Sequence, residues 1–141
     1  QVTAVDISAA ALAVATANAH YHKVANQIRL IESNLFDQVD QNFHLVLANL
    51  PYIPSFDLNS LSVDKYEPRE ALDGGSDGTE LITKLIDTLP QHLLPGGCAI
   101  LEIQYNQDNL VSSIAARRFP DARISFIKDL ASINRFLKIQ L

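Results

Sequence analysis

Phe43-His44-Leu45-Val46-Leu47-Ala48, followed at once by Asn49-Leu50-Pro51-Tyr52, is the stretch from which the architecture can be read. The first six residues are almost continuously apolar, as expected of a parallel strand covered on both faces. The polar Asn49 and the Pro51 turn then end the strand. From Asn49 to Ser76 the chain carries three prolines and no sustained period. That predicts a long functional loop, either a lid or a binding segment.

Upstream, Val2 to Ile7 is a short apolar run interrupted by Asp6. Ser8 is placed to cap a following helix, with Ile7 and Leu12 at the spacing of a hydrophobic staple. The Ala-rich stretch to about Tyr21 is a strong helix former. Ile28 to Ser33 is the next strand expected. Downstream, Leu81, Ile82, Leu85, Ile86 and Leu89 form a helical stripe. Pro95-Gly96-Gly97 predicts a turn, and Cys98 to Ile103 a buried strand. Leu110, Val111, Ile114 and Ala115 mark another helix. Strands over about Arg123–Lys128 and Arg135–Leu141 come last.

With no repeat, low-complexity tract or linker, residues 1–141 read as one α/β unit. The alternation implies a mostly parallel sheet with helices on both faces. Ligands in such sheets bind outside the carboxyl ends of the strands. The rule selects Asp6, Asn34-Leu35-Phe36-Asp37 and the segment from Asn49 onward, which are expected to line one edge.

Bulk properties narrow the function. The 141 residues amount to about one domain, and 48% hydrophobic with 19% charged residues suits a globular core. Eleven Lys and Arg against sixteen Asp and Glu leave a formal charge of −5. Proteins that neutralise many phosphates are usually basic, so the balance argues against nucleic acid and for a basic protein partner. The single cysteine, Cys98, excludes an internal disulfide and points to a reducing, cytoplasmic setting. No apolar run approaches the roughly 18 residues of a membrane span, and the start is not a secretory signal. The four histidines show no metal-ligand spacing.

Two motifs carry chemistry. A carboxylate at Asp6, ending a strand ahead of a capped helix, can accept both hydroxyls of a ribose; a capping aspartate is the competing reading. Asn49-Leu50-Pro51-Tyr52 is sharper. An amide or exocyclic amine is a poor nucleophile, because its lone pair is delocalised. The Asn49 side-chain oxygen and the Leu50 carbonyl can hold its two N–H groups while the nitrogen pyramidalises toward a methyl group. Pro51 stiffens the turn, and Tyr52 can stack on the flat target. Rate would come from positioning and electrostatics rather than from a strong base.

These motifs, with Ala4-Val5-Asp6-Ile7-Ser8, Asn34-Leu35-Phe36-Asp37, Asn49 to Pro54, Tyr66 to Gly78, Leu101-Glu102-Ile103 with Gln107, and Lys128 to Ala131, resemble the N5-glutamine methyltransferases of peptide-chain release factors. The resemblance covers essentially the whole chain. It implies a Rossmann-like class I methyltransferase sheet, mostly parallel with an antiparallel C-terminal strand, and S-adenosyl-L-methionine as cofactor. It further implies that Asp6 holds the ribose, with Ile7 beside it, and that Asn34 and Leu35 flank the adenine. Asn49, Leu50, Pro51 and Tyr52 would grip the substrate glutamine, Asn49 lying close to the cofactor too, with Glu67 in the substrate-binding set. The partner implied is a release factor presenting the glutamine of a Gly-Gly-Gln loop.

Some positions depart from the family pattern. Leu50 stands where Pro is common, Asn34 where Asp is usual, and Gln104 and Ser132 where Gly is common. The first strand and Gly-rich loop of the family are also missing, together with any N-terminal recognition domain. Two unpaired strand edges are therefore expected, to be completed by a further segment or a second chain. Without that completion cofactor binding should be poor.

Three rivals remain on sequence alone. An adenine-N6 methyltransferase poses the same chemical problem and uses the same tetrapeptide, but usually has a basic surface. Here Lys65 and Arg69 face five acids, Asp57, Asp64, Glu67, Glu70 and Asp73. A non-catalytic remnant would have no need of the tetrapeptide. A nicotinamide oxidoreductase is a distant third, because nothing after Asp6 resembles hydride-transfer machinery. Glu67 and Arg69 have a competing reading as a structural corner, and Asp73-Gly74-Gly75 reads as turn chemistry.

Overall fold

The computed structural model describes residues 1–58 and 67–141. Tyr66, Asp64 and Lys65 lie outside the described residues. Cα proximity divides the chain into two units, Gln1–Gln41 and Asn42–Leu141.

In the first unit, β1 (Val2–Asp6) pairs in parallel with β2 (Ile28–Glu32), the connection being α1 (Ala9–Tyr21). The register sets Asp6 beside Glu32, so both carboxylates leave the same carboxyl edge. Ser8 caps α1 as its sequence position requires, its Oγ accepting the Ala11 N–H at 3.2 Å. Helix α1 is almost entirely exposed, with Ala19 its buried residue. Alanine propensity therefore contributes more to it than an apolar face does.

The second unit contains β3 (Phe43–Ala48), the short α2 (Ser55–Leu58), α3 (Glu80–Thr88), β4 (Leu93–Glu102), α4 (Asp108–Arg118), β5 (Arg123–Lys128) and β6 (Asn134–Gln140). Its sheet has the order β3-β4-β6-β5. β3 and β4 are parallel, whereas β6 runs antiparallel to both β4 and β5. The antiparallel last strand is as expected, but the described strands form two sheets, the larger of them mixed.

Paired residues point to the same face, and one face is the core. Ala99 opposite Ile139 and Leu101 opposite Leu137 are all fully buried. Helix α4 packs on β5 and β6 through Val111, Ile114 and Ala115, and α3 packs on α4 through Ile82, Leu85 and Ile86. Leu110, expected in the α4 stripe, is exposed.

The reading of β3 as covered on both faces is corrected. Leu45 and Leu47 alternate onto one face and are 51% and 67% exposed. No helix of the second unit covers that face among the described residues, and β3 pairs with β4 only. A second correction concerns β4. Pro95-Gly96-Gly97 does not precede the strand but lies within it. Between Phe43↔Leu93 and Leu45↔Cys98 the register takes five steps along β4 for two along β3. The extra residues bulge out, which Gly96 permits with φ +73°.

Candidate functional site

Within the second unit, Ala48 pairs with Leu101, so Asn49–Tyr52 leaves β3 at the edge where β4 ends in Glu102. Asn49 is exposed, while Leu50, Pro51 and Tyr52 are half-buried. Among the described residues none hydrogen-bonds the Asn49 carboxamide or the Leu50 carbonyl. Both acceptors are thus unengaged by the described residues. Tyr52 lies over the end of β4, its hydroxyl 3.5 Å from Glu102 Oε1. Burial pushes the Tyr52 phenol above its ordinary value, and the Glu102 carboxylate adds to the effect. Arg135 opposes that rise, and Glu67 contributes to it slightly. The ring stays neutral at any physiological pH. Glu67 itself is exposed.

Behind the tetrapeptide the chain is pinned to the Asp73–Gly78 block. The Ile53 N–H donates to Leu72 O at 3.0 Å, and the Gly74 N–H to Ile53 O at 2.8 Å. The Ser55 N–H donates to Gly75 O at 2.8 Å. Asp73 Oδ1 accepts from the Ser55 hydroxyl and the Gly75 N–H, and Oδ2 faces Arg69 Nε at 3.3 Å. These partners, the Ser55 hydroxyl foremost, hold the Asp73 carboxyl below the usual range. The turn role read for Asp73-Gly74-Gly75 is thus what the geometry displays. Arg69 joins Asp73, four residues on, where the sequence left pairing with Glu67 open.

Sequence reasoning assigned no role to Gln107. It is buried at the start of α4, and its carboxamide bonds to Tyr52, Gly78 and Gln104. The signal available was a polar residue directly ahead of an apolar helical stripe, which reads ordinarily as a cap. Gln104 Oε1 is the buried side-chain oxygen without a protein partner among the described residues.

In the first unit, Asp6 Oδ1 accepts the Ser8 N–H at 2.8 Å, leaving its second oxygen free of described partners. Ile7 and Asn34 line one cavity of about 350 Å³, together with Glu32, Ser33, Asp37 and Gln38. Buried Ser33 shapes the turn beneath it. Its hydroxyl donates to Leu35 O and accepts from the Gln38 N–H, each at 3.0 Å. This holds Leu35 at φ +53°, a left-handed conformation. The lining is rich in hydrogen-bond acceptors, and Asp6 and Leu35 are not part of it. No group of three or more His, Cys, Asp or Glu able to hold a metal occurs among the described residues. No described helix is long and apolar enough to cross a membrane.

Solved structures share this fold. A methyltransferase from Pyrococcus furiosus matches 99% of the chain, and 62% of its own, with a TM-score of 0.74 at 20% identity. A release factor-specific protein-(glutamine-N5) methyltransferase from Alicyclobacillus acidocaldarius matches 99% of the chain and 78% of its own, with a TM-score of 0.54 at 18% identity. The fold is that of the α/β methyltransferases.

Sequence relatives narrow this further. No protein-family model matches. A release factor glutamine methyltransferase of Rhodopirellula baltica is 38% identical across 99% of this chain and 49% of its own. One from Gloeobacter violaceus is 40% identical across 96% and 49%. A ribosomal protein uL3 glutamine methyltransferase of Francisella tularensis is 37% identical across 75% of this chain and 34% of its own. Over nearly its whole length the chain is similar to release factor glutamine methyltransferases, and it spans about half the length of the curated relatives it matches.

Proposed function

We propose that this chain is part of the catalytic domain of an enzyme that methylates the side-chain amide nitrogen of a glutamine in a peptide-chain release factor. The observation that carries the reading is the pair of unengaged acceptors at Asn49 and Leu50, held at the carboxyl end of β3.

When bound, S-adenosyl-L-methionine supplies an electrophilic methyl group on a sulfonium. The chain's own residues do the rest. Asn49 Oδ1 and Leu50 O accept the two glutamine N–H bonds, which draws the nitrogen lone pair out of conjugation. Tyr52 and Pro51 flank the flat amide. Held by these two acceptors, the nitrogen would be aimed at the methyl donor and would shed one proton to solvent as it gains the methyl group. In-line positioning of this kind supplies several orders of magnitude in rate. Asp6 would take the ribose hydroxyls, with Ile7, Asn34 and Leu35 around the adenine. Glu67 would meet the protein substrate.

Among the described residues β3 pairs with β4 alone, which supports a further strand along its other edge.

The test uses the full-length protein, labelled S-adenosyl-L-methionine and four acceptors: a release factor, its Gly-Gly-Gln→Gly-Gly-Ala form, ribosomal protein uL3, and ribosomal RNA. Label on the intact release factor alone supports the proposal. Label on the Ala form or on RNA refutes it, and label on uL3 alone moves the substrate but not the chemistry.

A further inference from the structure

Gln107 is 5% exposed and sits where α4 begins, yet its side chain does not cap that helix. Its Nε2 donates to the Tyr52 carbonyl at 3.0 Å and to the Gly78 carbonyl at 3.1 Å. Its Oε1 accepts the Gln104 N–H at 2.9 Å. Both donor hydrogens and an acceptor lone pair of the carboxamide are therefore used. The three partners come from three segments: the exit of β3, the glycine block and the loop after β4.

The glycines show how closely these segments meet. A Cβ on Gly78 would lie 2.3 Å from the Tyr52 oxygen and 2.7 Å from Gln107 Nε2. Gly78 also holds φ +77°, which disfavours any side chain. A Cβ on Gly74 would lie 2.8 Å from the Tyr52 Cα. Tyr52 is thus set between two glycine backbones and one buried amide. Pro51, just before it, has no N–H with which the turn could be tied down. The carbonyl of Tyr52 is where the far end of the turn is anchored, while β3 anchors the near end.

We infer that Gln107 is a positioning residue for methyl transfer, its buried carboxamide locking the Tyr52 carbonyl so that the Asn49 and Leu50 acceptors stand at a fixed spacing. This rests on the glutamine-methylation reading. Gln107 touches no substrate, so its effect should fall on turnover rather than on cofactor affinity. A misplacement of about 1 Å can cost roughly 100-fold in rate.

The experiment compares wild type with Gln107→Met and Gln107→Glu in the full-length protein. It measures kcat, the KM for S-adenosyl-L-methionine, melting temperature and the amide NMR shifts of Tyr52, Ile53 and Gly78. Gln107→Met should lower kcat about 10- to 100-fold with that KM within about twofold, and should move the three amide shifts while the protein stays folded. Gln107→Glu should recover activity as pH falls, because a neutral carboxyl regains one donor hydrogen. Where Gln107→Met does not fold, Gly78→Ala displaces the same carbonyl and should give the same split. Unchanged kcat in folded variants that show the amide shifts overturns the inference, as does a loss matched by the loss of folded protein. A wild type that methylates no glutamine fails the underlying reading and the inference with it. The amide shifts report the Gln107 anchor independently of any activity.

Discussion

The Ser55 hydroxyl and the Asp73 carboxylate are hydrogen-bonded across 18 positions of sequence, on the oxygen that also receives the Gly75 N–H. Together with the Ile53 bridge to Asp73, this pair closes the chain behind the tetrapeptide. The closure is pH-dependent. Asp73 is held below its ordinary pKa by the Ser55 hydroxyl first and the Gly75 N–H next. Its contribution is complete above the unfolded value of about 3.9, and it is lost as pH falls through the lower folded value. Asp77 and Asp129 are shifted in the same direction. Melting temperature should therefore fall as pH drops below about 4, and Asp73→Asn should flatten part of that dependence. An unchanged acid limb in Asp73→Asn would count against the closure.

Asn49→Ala should reduce methyl transfer by about 100-fold or more, on the scale of losing one preorganised transition-state hydrogen bond. Asn49 is exposed and bonds to no described residue through its side chain. The variant's melting temperature should stay within about 3 °C of wild type, because surface changes usually cost no more than about 0.5 kcal/mol. Activity loss with a matching loss of fold would contradict this.

Asp6→Asn should weaken S-adenosyl-L-methionine binding about tenfold, one charge-assisted hydrogen bond being worth roughly 1.5 kcal/mol or more. The Ser8 N–H that Asp6 Oδ1 accepts at 2.8 Å can still be taken by an asparagine oxygen. The helix start is thus preserved, and calorimetric titration of the full-length protein isolates the cofactor term.

Ser132 holds φ +63°, a left-handed conformation that glycine adopts freely. This supplies a physical reason for the Gly that the family commonly has there. Ser132→Gly should raise stability by up to about 1 kcal/mol, relief of left-handed strain outweighing added chain entropy. Urea unfolding measures it, and a destabilised variant would show that the turn between Asp129 and Ile133 depends on the serine itself. The corresponding departure at Gln104 is not explained by backbone conformation.

A longer polypeptide that supplies a strand beside β3 should protect the amides along the other edge of β3 from hydrogen exchange. The same amides should exchange readily in residues 1–141 alone, where among the described residues β3 pairs with β4 only. Equal exchange in both forms would remove the case for an added strand beside β3.

Local patterns made much of this protein legible without coordinates. The 3.6-residue stripe at Ile82, Leu85, Ile86 and Leu89 and the Ser8 cap specify helices because their causes lie within a few residues. The apolar run of β3 specifies a strand for the same reason. What the pattern could not specify was which face of β3 would be covered, since Leu45 and Leu47 look no different from Leu101 until partners are present. Nor could it place Pro95-Gly96-Gly97 inside a strand, because a bulge is defined by the register of the neighbouring strand.

The candidate site divides along the same line. Asn49-Leu50-Pro51-Tyr52 could be singled out from residue type, because a flat nitrogen would need acceptors such as the Asn49 side-chain oxygen and the carbonyl after it. A turn at Asp73 could be read from the sequence, but the partners of Asp73, Gly78 and Gln107 were decided only by tertiary structure. Their hydrogen bonds join positions 18, 29 and 55 residues apart in the chain. Sequence spacing carries no information about which backbone carbonyl a buried amide will find. That depends on where packing of the core brings the segments together.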